Sequence, residues 1–132
     1  MNISEHITFA EATHTSKNLP NVPNEKELKA MQLVALFCFE PMRKFWGKPL
    51  KVNSFFRSKE VNKAVGSKAS TSQHLFGEAI DLTTGSKEGN KKLFEWAKSN
   101  IVYDQLINEY DYSWIHVSYR SGKNRMQVLA IK

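Results

Sequence analysis

Apolar residues recur by threes and fours through the first half of the chain: Leu28, Met31, Ala35, Phe39, Met42 and Phe45. This spacing predicts one helical stripe running to about Trp46. Asn24, followed three residues later by Glu27, gives it a capping-box start. Gly47 and Pro49 stop it. Pro41 lies inside the run, lacks an N–H, and predicts a kink or a split. Upstream, residues 1–23 are polar and carry Pro20 and Pro23, so they read as an extended N-terminal arm with one short turn.

Beyond Pro49 the period changes. "LKVNSFF" (50–56) alternates and predicts a strand. Ser58 is placed to cap a short helix over 59–65, closed by Gly66. A Ser/Thr/Lys loop then leads to His74, and "EAIDL" forms a second strand. Ser86 caps a helix over 87–99 with Leu93, Phe94 and Ala97 on its inner side and Asn100 near its end. Three strand-like runs complete the chain, at 103–109, 114–119 and 126–132. The short turns "YDYS" and "RSGKN" between them predict antiparallel hairpins. Helices followed by closely spaced strands argue an α+β class, a twisted antiparallel sheet backed by helices.

A length of 132 residues suits one domain with one core, and 41% hydrophobic with 24% charged residues excludes wholesale disorder. The net charge of +6 favours a polyanionic neighbour: nucleic acid, an anionic membrane or an anionic cell wall. The lysines are spread along the chain, with Lys91 and Lys92 the only dense spot after Lys87. That pattern describes a basic soluble surface rather than a nucleic-acid patch, and no nucleic-acid partner is expected. The single cysteine, Cys38, sits in an apolar helical run and reads as core packing. "MNISEHITFAEATHTS" has no basic stretch followed by an apolar one, so no signal peptide is expected. No segment suits a membrane span, and no membrane anchor is expected. The expectation is a monomer made in the cytoplasm, which needs another agent to release it if it acts outside.

The chemistry concentrates in "STSQHLFGEAIDL" (70–82). Asp81 interrupts an apolar strand, and a buried carboxylate needs a proton, a cationic partner or a metal. His74 lies just upstream. His116 lies within "WIHVSY", where Trp114, His116 and Ser118 share one strand face. Two histidines and one carboxylate are the usual protein ligands of a catalytic zinc. Of the four histidines, His6 and His14 fall in the polar arm and read as surface residues. From spacing alone, a core histidine and a turn-capping aspartate remain open as the alternative, because His-x6-Asp is not a self-sufficient metal signature.

Ser72-x-His74-x-x-Gly77-x-Ala79-x-Asp81 is similar, position for position, to the SxHxxGxAxD motif of the zinc D-Ala-D-Ala metallopeptidase family, which includes carboxypeptidases, dipeptidases and phage endolysins. "GKPLKVNSFFRSKEVNKAVGSKASTSQH" resembles the family's approach to that motif, and "YDQLINEYDYSWIHVSY" resembles its terminal W-x-H-V-S block. The opening "ITFAEATHTS" and "NVPNEKELKAMQLVALFCFEPMRKFWGKPL" resemble the subfamily common in phages and prophages. The resemblance implies a zinc peptidase fold of the Hedgehog and D,D-peptidase kind, with one Zn2+ per chain held by His74, Asp81 and His116. It also implies that the enzyme hydrolyses peptide bonds of peptidoglycan stems or cross-links in the D-Ala region. With the basic charge and small size, the expected role is a phage or prophage endolysin acting on the cell wall after release.

Gly77 is expected to let the backbone turn between two ligands, and the small Ala79 to keep the ligand face open. Hydrolysis needs a general base for the water and an acid for the departing amine, and one carboxylate can serve both. Glu109, seven residues before His116, is the candidate; a hairpin would bring it opposite the ligand strand. The resemblance supports an acid shortly before the last histidine, although two positions used in some subfamilies are Ser113 and Trp114 here. Glu78 and Asp111 compete for the role, whereas Asp104 would face the other way from Glu109. The resemblance assigns Arg57 to the substrate carbonyl oxygen; a salt bridge to a nearby acid is its alternative. Ser72, Gln73 and Trp114 are the expected substrate-binding residues. A zinc-stabilised wall-binding or phage structural module without catalysis is the rival function, and a basic nucleic-acid-binding protein the more distant one.

Overall fold

Local signals set most of the element ends in the computed structural model, which describes residues 2–66 and 72–132. The Ser/Thr/Lys loop expected before His74 lies at 67–71, outside the described residues. Helix α2 (Glu25–Val34) starts at Asn24, whose side chain accepts from the Glu27 N–H while the Glu27 carboxylate accepts from the Asn24 N–H. Ser58 caps α4 (Lys59–Ala64), and Ser86 caps α5 (Lys87–Asn100).

The long apolar stripe is split as Pro41 requires. After α2 a π-helical turn spans Ala35–Phe39, and the Glu40 N–H reaches back to the Ala35 carbonyl. Helix α3 (Glu40–Trp46) continues directly from this turn with Pro41 at its second residue, so the proline sits where the ladder is already irregular, and Gly47 closes it with φ 76°. Met31, Ala35, Phe39 and Met42 are buried as expected. Phe45 is not: the wider π turn shifts the phase of α3 relative to α2. It lies half exposed, stacked on Trp96 with ring centroids 4.4 Å apart.

The five-stranded sheet has the order β3 (Lys51–Ser54), β4 (Ala79–Thr83), β6 (Trp114–Ser118), β5 (Gln105–Glu109), β7 (Gln127–Ile131). Three pairings are antiparallel, but β5 and β7 run parallel, which corrects the expectation of consecutive antiparallel hairpins. The reason is positional. Strand β6 has β4 on one side and β5 on the other, so it offers β7 no free edge. The chain reverses after β6 and lands on the outer edge of β5, running in the same direction as β5. The class is therefore α+β with a mixed sheet.

The N-terminal segment also differs from an extended arm. Strands β1 (Asn2–Ser4) and β2 (Ile7–Thr8) form a small hairpin, and α1 (Phe9–Ala12) continues from it with a Thr8–Glu11 capping box. Ile3, Ile7 and Ala12 are buried in the main core. With Phe9 packed against them, these few inward apolar side chains are too sparse to register as a periodic pattern. Asn21 is buried too. Its amide donates to the Thr13 and Phe56 carbonyls, and its Oδ1 accepts the Ser58 N–H, so it brackets Arg57 from both sides.

Side-chain alternation separates the two faces of the sheet. Ile80, Leu82, Leu106, Ile115 and Val117 enter one core with Met31, Val34, Phe39, Leu93 and Phe94 from the helices. Asp81, Ile107, Glu109, Trp114 and His116 line a cleft on the opposite face. Cys38 lies in the core, its Sγ 3.3 Å from the Val102 carbonyl oxygen, and burial pushes its thiol up to about 12. It packs, as expected, and is no nucleophile. Among the described residues no helix is long and apolar enough to cross a membrane.

Candidate active site

The register of the sheet builds half of the site. Asp81 on β4 and His116 on β6 are direct cross-strand partners, and Asp81 Oδ1 lies 2.9 Å from His116 Nδ1. His74 arrives from a 3-10 turn (Gln73–Phe76) that ends at Gly77. Its ring meets that of His116 edge-on, with centroids 5.2 Å apart.

Gly77 closes this turn with φ 72°, and a Cβ there would come within 2.5 Å of the Glu27 carbonyl oxygen and 2.8 Å of Met31 Cγ. Two constraints thus demand glycine, a left-handed backbone and a close approach to α2. Gly77→Ala is expected to destabilise the fold by about 3 kcal/mol, from the left-handed penalty and the overpacking together. Urea unfolding of the two proteins checks this.

The state of His74 tells what the site holds. Its Nδ1 lies 2.7 Å from the Phe55 carbonyl oxygen, which can only accept, so Nδ1 carries the hydrogen. In the neutral ring Nε2 is then a bare lone pair. It is buried, has no hydrogen-bond partner, and faces Asp81 Oδ2 at 3.3 Å. That separation satisfies an ion-pair distance without a hydrogen bond. In a site where His74 is 2% exposed, this pair needs either a proton on the ring or a metal cation between the two atoms. The donor atoms of His74, Asp81 and His116 lie within 4.8 Å of one another. Two imidazoles and a carboxylate, open toward a cleft, fit zinc. Burial alone would raise the Asp81 carboxyl, but the two flanking imidazoles hold it well below the usual carboxylate range.

The β5–β6 hairpin brings Glu109 to the same place. Glu109 pairs with Trp114 across the strands, and its Oε2 accepts from Trp114 Nε1 at 3.0 Å and lies 3.7 Å from His116 Nδ1. The connecting turn is unusual: Tyr110, Asp111 and Tyr112 all have positive φ, at 52°, 56° and 61°. Buried Asn90 holds it by donating to the Tyr112 and Ser113 carbonyls, and Asn108 Oδ1 accepts the Tyr112 N–H. The rival carboxylates are elsewhere. Asp111 is 74% exposed and paired with Lys87. Glu78 lines the cleft with Arg120 as its neighbour. Asp104 precedes β5 and is fully buried, bonded to Arg125 and Gln73.

Arg57 lines the cleft, and its N–H donates to the His74 carbonyl. Its buried Nε has no hydrogen-bond partner, and no carboxylate among the described residues comes within ion-pair distance. Burial lowers the guanidinium pKa, opposed by the charges of Asp81 and Glu109. Ser72, Gln73 and Trp114 also line the cleft, which encloses about 1400 Å³. Gln73 is held from below, its Nε2 donating to Asp104.

The sequence pattern did not disclose the Asp104–Arg125–Gln73 network or the part played by Asn21 and Asn90. Each joins segments far apart in the chain, and only a polar residue beside an apolar run hinted at them. The profile of the peptidase M15 family matches residues 5–118. A 60-residue stretch is 43% identical to the zinc D-Ala-D-Ala carboxypeptidase of Streptomyces albus G, covering 45% of this chain and 23% of that protein. With nearly the whole of its folded length under that profile, the chain belongs to the peptidase M15 family.

Proposed function

We infer that the protein is a zinc metallopeptidase acting on the peptide stems of peptidoglycan, in the D-Ala region. The observation that carries this reading is the buried His74 Nε2 lone pair turned toward Asp81, with His116, Glu109 and Arg57 gathered at the same end of the cleft. Zinc is the ion implied by both the donor set and the family, and His74, Asp81 and His116 would hold it. When bound, it supplies Lewis-acid polarisation of the scissile carbonyl and makes water a stronger acid.

The chain's own groups do the rest. Glu109, on the rim of the donor set, accepts a proton from the attacking water and passes it to the departing amine. Trp114 Nε1, donating to Glu109 Oε2, fixes the carboxylate and leaves Oε1 for the water. Arg57 donates to the carbonyl oxygen as negative charge develops. Its partnerless Nε and its neighbours Asp81 and Glu109 support that role over a structural ion pair. A zinc-stabilised module without catalysis would need the ligands but neither this carboxylate nor an open cleft. The finer reading is a monomeric phage or prophage lytic enzyme; the net charge of +6 supports its action at the wall by drawing the protein to anionic wall polymers.

Digestion of muropeptides by the zinc-loaded protein, followed by mass spectrometry, tests the reading, since the mass lost identifies the bond. An unchanged muropeptide profile would refute it. Arg57→Ala is expected to keep its zinc and to lose on the order of a hundredfold in turnover, as for other oxyanion donors. Normal turnover in that variant would return Arg57 to a structural role.

A further inference from the structure

The parallel placement of β7 shapes the cleft. To reach the outer edge of β5, the segment 119–126 crosses the end of that strand. Backbone contacts tie it down: the Tyr119 N–H to the Glu78 carbonyl at 2.9 Å and the Met126 N–H to the Tyr103 carbonyl at 3.1 Å. Within it, Asn124 Oδ1 accepts the Arg120 N–H at 2.8 Å, and the Arg120 carbonyl accepts the Lys123 N–H at 3.0 Å.

The main anchor is Asp104, which is 0% exposed. Its carboxylate accepts from the Arg125 backbone N–H, Nε and Nη2 at 3.0, 2.8 and 2.9 Å, and from Gln73 Nε2 at 3.0 Å. A buried charge needs such compensation, so the Arg125 guanidinium is committed to Asp104.

Among the described residues three arginines line the cleft: Arg57, Arg120 and Arg125. Arg57 lies beside the metal donors, and Arg125 neutralises Asp104. Arg120 is left with one loose neighbour, Glu78 Oε1 at 3.8 Å from its Nε, beyond hydrogen-bond reach, and its side chain is 43% exposed. A guanidinium carried on a pinned turn, in the cleft and without a close acceptor, is placed to receive an anion.

We propose that Arg120 is a specificity-determining residue that docks a carboxylate of the substrate peptide, at a subsite apart from the metal donors. The proposal rests on the peptidase reading above. The planar fork of arginine matches a carboxylate with two parallel charge-assisted hydrogen bonds. Glu78 holds the guanidinium loosely until the substrate takes it over. The contact is made equally in the ground and transition states, so it acts on KM rather than kcat. A stem peptide offers carboxylates from two sources, its free C-terminus and any internal carboxylate left free by a branched linkage.

The test uses zinc-loaded wild type, Arg120→Ala and Arg120→Lys on three synthetic stem peptides. One has all carboxylates free, one is amidated at the C-terminus, and one is amidated internally. Affinities of the same peptides, by calorimetry in the Glu109→Gln background, accompany the rates. Arg120→Ala is expected to raise KM for the free peptide by about tenfold or more, with kcat little changed. The penalty should vanish for one amidated peptide, which names the source of the carboxylate, and Arg120→Lys should recover part of it. Zinc content and melting temperature should match wild type. Unchanged KM in Arg120→Ala, or a rise of the same size on all three peptides, overturns the proposal. A wild type that neither binds nor cleaves any peptide overturns the peptidase reading and this inference with it. Cleavage by wild type with Arg120→Ala unaffected overturns this inference alone.

Discussion

His116→Ala is expected to fold, to lose its stoichiometric zinc, and to show no activity above background. Of the two candidate histidine ligands, His116 is the one less tied into the fold. It lies on the cleft face of β6, whereas His74 is buried and holds the Phe55 carbonyl through Nδ1. Three protein donors are the usual minimum for a catalytic zinc, so the loss of one should bring zinc from about one per chain to near none. Metal-assisted hydrolysis draws several kcal/mol of transition-state stabilisation from the ion. At roughly 1.4 kcal/mol per tenfold, the rate should fall by on the order of a thousandfold or more. A second readout does not depend on turnover: added zinc should raise the melting temperature of the chelator-treated wild type by mass action and leave that of the variant unmoved. His74→Ala and Asp81→Ala should lose zinc as well, and His74→Ala should also lower the apo melting temperature. Full zinc retention in His116→Ala would remove that residue from the ligand set.

Glu109→Gln separates proton transfer from binding. Glutamine keeps the shape and still accepts the Trp114 Nε1 hydrogen bond, so the hairpin and the cleft wall persist. It cannot take a proton. Zinc content and stability are expected to match wild type, while the chemical step falls by roughly a hundredfold or more. Asp111→Asn should change little, since Asp111 is exposed and paired with Lys87. Glu78→Gln should lose far less in kcat than Glu109→Gln, because Glu78 lies loosely beside Arg120 and makes no ion pair with the metal donors. The three variants belong in one assay with zinc measured in each. Should Glu109→Gln keep most of its activity while Glu78→Gln loses it, the base is misassigned and the peptidase reading stands.

The features that the sequence determined by itself are local or motif-bound. The caps at Asn24, Ser58 and Ser86 act within one helical turn, so the starts of α2, α4 and α5 were legible. Alternation over "EAIDL" and "WIHVSY" placed Asp81 and His116 on strand faces, and the ten-residue motif with the distant W-x-H-V-S block marked them, with His74, as candidate ligands. Pro41 announced an irregularity in the long helix, realised as the π turn, because its missing N–H is a property of one residue.

The tertiary structure decided whatever depends on partners distant in the chain. That β7 pairs with β5 in parallel is set by which edges were already taken, and no short window of sequence contains that information. The N-terminal hairpin joins the core because a pocket between distant elements accepts Ile3 and Ile7, although its composition is polar. The distance from Glu109 to His116 was set by the strand register and by a turn with three successive left-handed residues, held by Asn90 from another helix. Asp104 could be buried only because Arg125 and Gln73 arrive from separate segments to compensate it. Capping and alternation are set by neighbours along the chain, and the cost of a buried charge by neighbours in space, which only the completed fold brings together.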